Sequence, residues 1–328
     1  MTMSSTPEFQ AQPYQGIATF GRRPYDPTPR GADVAILGAP YDSATTYRSG
    51  ARLGPRAIRE QSLLLWGYNN ALRVNPFESL KIVDAGDVDV VPVDIRATQE
   101  AIEKRVHSLR SSGARVLLLG GDHSVSLPSL RAHARDLGEL AVVHFDAHPD
   151  TWNEEFPGQR YSHGTPFRRA LEEKLITPGA YLQVGLRGPT AGPGDYEQAR
   201  ELGARVLTAD AVYDLGMDGV LEEIHEHVGK RQLYVTLDID VVDPAFAPGT
   251  GTPEVGGLTS RQILQLVRGL KGLNLVGCDL VEVAPAYDPA GITAILAANL
   301  AFEFLSLWGC AKGAKGGSAR SQEKFRGR

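Results

Sequence analysis

Sulfur is scarce in this 328-residue chain, which has two cysteines, Cys278 and Cys310, and three methionines. Two isolated thiols build neither a disulfide framework nor a thiolate zinc site, so both read as small apolar groups. Positive charge is not in excess either: 34 Lys and Arg face 39 Asp and Glu, for a formal net charge of −5. Nucleic acid and acidic membranes attract proteins through clustered positive fields, so neither is an expected partner, and a small molecule is. The N-terminal MTMSSTPEFQAQPYQG lacks a basic segment leading into an apolar stretch, and no run reads as a bilayer span. The expected compartment is the cytoplasm. Internal repeats and heptads are absent, which excludes a solenoid or coiled coil.

What remains is the composition of a loop-rich globular enzyme, 42% hydrophobic and 22% charged with 36 Gly and 21 Pro. A single domain over residues 1–328 is expected, with flexible tails at 1–14 and 312–328. The second tail is rich in Gly, Ser, Lys and Arg and has no apolar periodicity. Short β-branched runs lie at Val34 to Leu37, Val116 to Leu119, Leu140 to Phe145, Leu182 to Val184, Leu233 to Leu237 and Leu273 to Val283. They alternate with segments whose apolar residues recur every three or four positions: Ile102 to Leu109, Leu127 to Leu137, Val220 to Val228, Ser260 to Leu270 and Ile292 to Leu307. That alternation predicts an α/β fold with a mostly parallel sheet covered by helices. Gly54-Pro55 opens a further helix, and Thr259 or Ser260 caps a later one.

The chemistry gathers where strands end. His144-Phe145-Asp146-Ala147-His148-Pro149-Asp150 follows directly on an apolar strand. Alternate side chains share one face of an extended segment, so Asp146, His148 and Asp150 leave one strand tip together. Asp238-Ile239-Asp240 repeats the pattern, and a third strand runs into Gly120-Gly121-Asp122-His123-Ser124. Alone, each piece reads as a turn or helix cap, the common use of Asp in such places. Ligands of open α/β sheets collect outside the carboxyl ends of the strands, which would join the pieces in one site. Four carboxylates and two imidazoles together need cations. Six ligands exceed one tetrahedral zinc but suit two metals roughly 3.5–4 Å apart. Without thiolate, the donor set favours manganese and permits nickel, iron, cobalt or zinc. His144, deeper in its strand, reads as a hydrogen-bonded core histidine, and His107, His133, His225 and His227 read as surface groups on helices.

These residues match a known family. The Gly120 to Ser124, Asp146 to Asp150 and Ser162-His163-Gly164-Thr165 segments, with Asp238 to Pro244 continuing into Gly249 to Pro253, resemble the ureohydrolase motifs of arginases and agmatinases. Gly50 to Arg59 and Asp279 to Pro285 resemble further family segments, so the likeness covers nearly the whole chain. It implies a three-layer α/β/α sandwich that hydrolyses a guanidino group to urea and an amine, usually assembled as a trimer or hexamer. It also implies two Mn2+ per chain, with Ni2+ as the alternative. His123 and Asp150 would hold one metal and His148 and Asp240 the other, with Asp146 and Asp238 bridging and Asp150 orienting the attacking water. His163 would shuttle the proton, and Glu282 would receive the guanidinium ion. Water held between two metals reaches a pKa of roughly 7, which suits attack on an unreactive cationic carbon.

The resemblance is strongest to the agmatinase branch, in the Asp243 to Pro253 and Val283 to Asp288 stretches, and agmatine cleavage to putrescine and urea is the expected reaction. The loop from Thr151 to Ser162 carries the candidate tail-binding residues Trp152, Asn153, Glu154 and Arg160. Glu154 or Glu155 suits an ammonium tail, and Arg160 suits the carboxylate of guanidinobutyrate or guanidinopropionate. Trp152, Phe156 and Tyr161 either close a small pocket, as in nickel-dependent guanidine hydrolases, or pack at a subunit contact. Two other classes compete: a single-metal deacetylase of the histone-deacetylase type, and a non-catalytic metal-binding regulatory subunit.

Overall fold

The computed structural model describes residues 12–325 of the chain. Its centre is one sheet of eight strands: β1 (Val34–Ala39), β2 (Ile82–Asp87), β3 (Arg115–Gly120), β4 (Leu140–Phe145), β5 (Ile176–Leu186), β6 (Ala204–Thr208), β7 (Gln232–Asp238) and β8 (Asn274–Val281). The spatial order is β2-β1-β3-β8-β7-β4-β5-β6, and every neighbouring pair is parallel. A parallel sheet must be covered on both faces, and the strands alternate their side chains accordingly. Leu117 and Leu119 join one apolar cluster while Val116 and Leu118 join another.

Among the described residues the helices are α1 (Gly54–Ser62), α2 (Pro76–Ser79), α3 (Ile95–Ser111), α4 (Ser126–Leu137), α5 (Pro166–Glu172), α6 (Asp195–Glu201), α7 (Ala209–Val228), α8 (Ser260–Gly269) and α9 (Ile292–Phe325). One layer packs α7 on α8, α8 on α9, and α9 on α1 and α2; the other packs α3 on α4 and α4 on α5. The result is the expected three-layer α/β/α sandwich. α1 opens with Pro55 in its first turn, and α8 carries a capping box in which Thr259 and Gln262 satisfy one another's backbone N–H groups. Thr259→Ala is expected to cost about 1 kcal/mol, read as a lower thermal midpoint with unchanged metal content.

Two sequence expectations need correction. His133 is not a surface group: it lies on the buried face of α4, its ring packs edge-on against Tyr234, and Gly277 leaves the space it occupies. Its Nδ1–H donates to Ser129 O at 2.8 Å, and burial holds its pKa down to about 3. Second, Pro289–Ala314 has the length and a mean hydropathy of 1.7 that a bilayer span would need. It is 72% buried, so its apolar residues serve as core against α1, α2 and α8. α9 runs through the segment from Lys312 to Phe325, and the Lys312 ammonium pairs with Asp33 at 2.6 Å. Ala, Lys, Gln, Glu and Arg in that segment are good helix formers. The tail expected at 1–14 falls mostly outside the described residues, as do 326–328.

Candidate metal centre and active site

Because all strands run one way, their carboxyl ends share an edge, and β3, β8, β7 and β4 are immediate neighbours there. Each releases functional side chains within a few residues of its end: His123 after β3, Glu282 after β8, Asp238 and Asp240 at β7, and Asp146, His148 and Asp150 after β4. Tight turns hold them. Asp122 caps the turn of His123–Val125 by accepting from Ser124 N at 3.0 Å, and Asp238 caps Ile239–Val241 by accepting from Asp240 N at 2.8 Å. A side chain at Gly121 would collide with the carbonyl of Tyr41, so only glycine admits this approach. Asp150 (φ 48°) and Glu282 (φ 62°) adopt left-handed backbone that L-residues avoid, a strain typical of functional sites.

The six side chains converge. His123 Nδ1 lies 3.0 Å from Asp146 Oδ2, 2.9 Å from Asp150 Oδ2 and 3.2 Å from Asp238 Oδ2. His148 Nδ1 lies 3.0 Å from Asp240 Oδ2 and 3.5 Å from Asp146 Oδ1. Two groups of potential metal donors result, one of His123, His144, Asp146 and Asp150 and one of Asp146, His148 and Asp240, with Asp146 common to both. His144 is best accounted for as support. Gln183 Nε2 donates to Tyr181 OH at 2.9 Å, Tyr181 OH donates to His144 Nδ1 at 3.0 Å, and His144 Nε2–H donates to Asp146 Oδ2 at 2.7 Å. Burial lowers the His144 pKa to about 4 and keeps the ring neutral.

The electrostatics call for cations. Burial, then Asp146, pushes Asp150 up to about 7, and burial, then Asp240, raises Asp238 well above the carboxylate range. Burial opposes charge on His123, yet Asp146, Asp150 and Asp238 raise it well above its ordinary value, so a proton occupies the place of a metal. The donors therefore fit a binuclear centre, and cations binding there must displace protons. Asp150 has a folded pKa above its unfolded value of ~3.9, so the metal-free fold binds the extra proton and loses stability as pH rises from about 4 to about 7. Mn2+ is therefore expected to raise the thermal midpoint more at about pH 8 than at about pH 5, with proton release on binding. An equal rise at both would count against these ligands.

Beside the centre is a cavity of about 100 Å3. His148, Asp150, His163 and Asp238 line it together with Thr46, Trp152, Glu155 and Thr252. Glu282 does not line the cavity but is buried behind His163: Oε1 accepts from His123 N at 2.9 Å and lies 3.1 Å from His163 Nδ1, while Oε2 has no partner. His163 Nε2 faces Thr46, at 3.1 Å from N and 2.9 Å from Oγ1. A backbone N–H aimed at Nε2 favours a lone pair there and the proton on Nδ1, which faces Glu282. Burial resists a second proton, but Glu282 outweighs it and lifts the pKa to about 10. The ring thus combines a neutral geometry with strong proton affinity.

Trp152 reaches the cavity, whereas the other three tail candidates do not line it. Asn153 accepts from Arg169 at 3.1 Å, Glu154 accepts from Gly158 N at 3.1 Å, and Arg160 pairs with Glu172 at 2.6 Å on the exposed side of the loop. Glu155, one residue on, is the loop carboxylate on the cavity wall, anchored by Ser162 Oγ and Gly164 N. Thr46 carried no sequence signal, acting on His163 across 117 residues, whereas Thr252, 3.4 Å from Asp240, lies within the Gly249 to Pro253 motif but was not singled out.

The Arginase family profile matches residues 32–306, most of the chain and all of these side chains. The chain belongs to the arginase family. It is 49% identical over 292 residues to proclavaminate amidinohydrolase of Streptomyces clavuligerus, covering 89% of this chain and 93% of that one. The solved structure of that protein superposes with a TM-score of 0.88 at 47% identity, over 92% of this chain and 100% of the other. An agmatinase of Citrobacter koseri is 46% identical (89% and 91% covered), and a guanidinopropionase of Pseudomonas aeruginosa is 45% identical (90% and 92% covered). This arginase-family protein is thus a guanidino hydrolase, and the deacetylase reading falls away.

Proposed function

We propose that the chain hydrolyses agmatine to putrescine and urea at a manganese-loaded centre. The observation that carries the substrate is the charge of the cavity wall beyond the metal donors: Glu155 lines it, no Arg or Lys among the described residues does, and Arg160 is engaged by Glu172. Such a wall suits a substrate with a cation at each end and disfavours a carboxylate tail. Glu282 Oε2, buried and unpartnered, receives the guanidinium N–H groups through charge-assisted hydrogen bonds while Oε1 stays fixed by His123 N. Bound metal ions would be held by the four aspartates, His123 and His148, and supply activation of water near neutral pH. Asp150 orients that water, and His163 holds the proton that the leaving amine requires. Trp152 contributes an apolar wall that limits water entry.

A second reading, cleavage of a guanidino acid, is favoured by Arg48. This residue lies two positions after the cavity-lining Thr46, its guanidinium 5.1 Å from the Tyr287 ring and 5.2 Å from that of Tyr47. The relative named guanidinopropionase supports it as well. Urea release from agmatine, guanidinobutyrate, guanidinopropionate, arginine and free guanidine, with Mn2+ and with Ni2+, separates these readings. Agmatine in the lead is the expected result, a guanidino acid in the lead moves the tail contact to Arg48, and guanidine in the lead with Ni2+ replaces both substrate and metal.

A further inference from the structure

We propose that Asp279 and Thr236 are positioning residues that fix the tautomer and orientation of His123, so that its Nδ1 is held ready for a metal ion. The inference rests on the metal-centre reading above and extends it to residues outside the ligand set. β7 and β8 are in parallel register, with Tyr234 beside Gly277 and Thr236 beside Asp279. Tyr234, Thr236 and Asp238 alternate onto one face of β7, the face from which Asp238 reaches the centre.

Thr236, Asp279 and Tyr234 are wholly buried. Thr236 Oγ1 donates to Asp279 Oδ1 at 2.6 Å, and Tyr234 OH lies 2.7 Å from Asp279 Oδ2 and 2.7 Å from Ser129 Oγ. A hydroxyl has one proton. Having given it to the carboxylate, Thr236 can only accept at its remaining contact, 2.8 Å from His123 Nε2. His123 must then carry hydrogen on Nε2, so Nδ1 is the nitrogen whose lone pair a metal ion takes on displacing a proton. That atom is buried, has no hydrogen-bond partner, and faces the oxygens of Asp146, Asp150 and Asp238. An imidazole nitrogen set against carboxylate oxygens needs a proton or a metal ion among them. The arrangement is a carboxylate–imidazole–metal relay with a threonine interposed, and outer partners of this kind govern ligand orientation.

Glycine at 277 contributes indirectly. Beside Tyr234 in the register, it lets His133 pack against the Tyr234 ring, which keeps the phenol aimed at Asp279. His148, by contrast, has no buried carboxylate behind it. It is the more exposed of the two imidazoles, 21% against 1%, so the effect of the relay is confined to one half of the centre.

The full-length protein, stripped by chelator and titrated with Mn2+ alone, tests this by binding stoichiometry and affinity, without activity. Wild type is expected to bind two ions. Thr236→Val is expected to bind one with wild-type affinity and the other ~10–100-fold more weakly, and Thr236→Ser, which keeps the hydroxyl, to bind both as wild type does. Asp279→Asn provides a second route should the valine variant not fold, with the same single site weakened. A packing role alone would lower the thermal midpoint of the metal-free protein and leave both affinities in place. Wild-type affinities in Thr236→Val or in Asp279→Asn, or a serine variant as weak as the valine variant, would overturn the relay. No metal uptake by wild type would overturn the metal centre and the relay together.

Discussion

Asp146→Ala is expected to empty both halves of the metal centre and to lower urea release by at least ~10³-fold, about 4 kcal/mol of transition-state stabilisation. Asp146 lies within 3.5 Å of both imidazoles, whereas Asp150 and Asp238 reach His123 and Asp240 reaches His148. It also accepts from His144 Nε2 and from His148 N at 2.7 Å each. Truncation therefore strands two buried donors, each costing about 1–3 kcal/mol, besides removing the ligand shared by both donor groups. Asp146→Asn keeps the shape and an acceptor, which separates lost charge from lost packing. Metal content after dialysis and urea release are the measurements. Two ions retained at wild-type affinity in the alanine variant would dismiss Asp146 as the bridge.

Glu282→Gln is expected to reduce kcat/KM by ~10²–10³-fold while both metals stay bound. The substitution preserves volume and, through its amide oxygen, the contact from His123 N. It places an N–H group or a neutral oxygen where Oε2 now waits unpartnered, so charge-assisted bonds to a guanidinium, worth about 1.5–3 kcal/mol each, are lost. His163 loses the neighbour that lifts its pKa to about 10, so its proton affinity should fall and the alkaline limb of the rate profile, where the proton donor is lost, should move to lower pH. Activity within about tenfold of wild type would remove Glu282 from substrate binding. Lost metal would instead assign it to the centre's structure.

The central strands were legible because they are apolar and end at functional residues: β4 was read as Leu140 to Phe145, the bounds the structure shows. The edge strands β2 and β6 escaped notice. β2 is Ile-Val-Asp-Ala-Gly-Asp, with Asp84 spent on Arg59 and on Phe20 N, and β6 is five residues with Arg205 at its second position. Edges bury less and need less apolar sequence. The site itself was legible wherever ligands cluster within one motif. Contacts between motifs were not: Thr46 meets His163 across 117 residues and Thr236 meets His123 across 113, with no periodicity to announce them. The choice between Glu154 and Glu155 turned on which way one loop residue points, and only the folded loop decides that. His133 was misjudged because its helix is charged in sequence, while its own position falls on the buried face.

β8 lies between β3 and β7 in space although it is made after both. On a ribosome, β3 and β7 emerge with open edges and no neighbour to share, and the gap closes only when residues 274–281 arrive. His123 then gains Glu282, 159 residues downstream, and Thr236 gains Asp279. A chain released early would hold all six candidate ligands on an unfinished sheet, with sticky edges and neither Glu282 nor Asp279 behind His123. Slow closure of such distant pairings makes assembly of the middle of the sheet the step most exposed to aggregation.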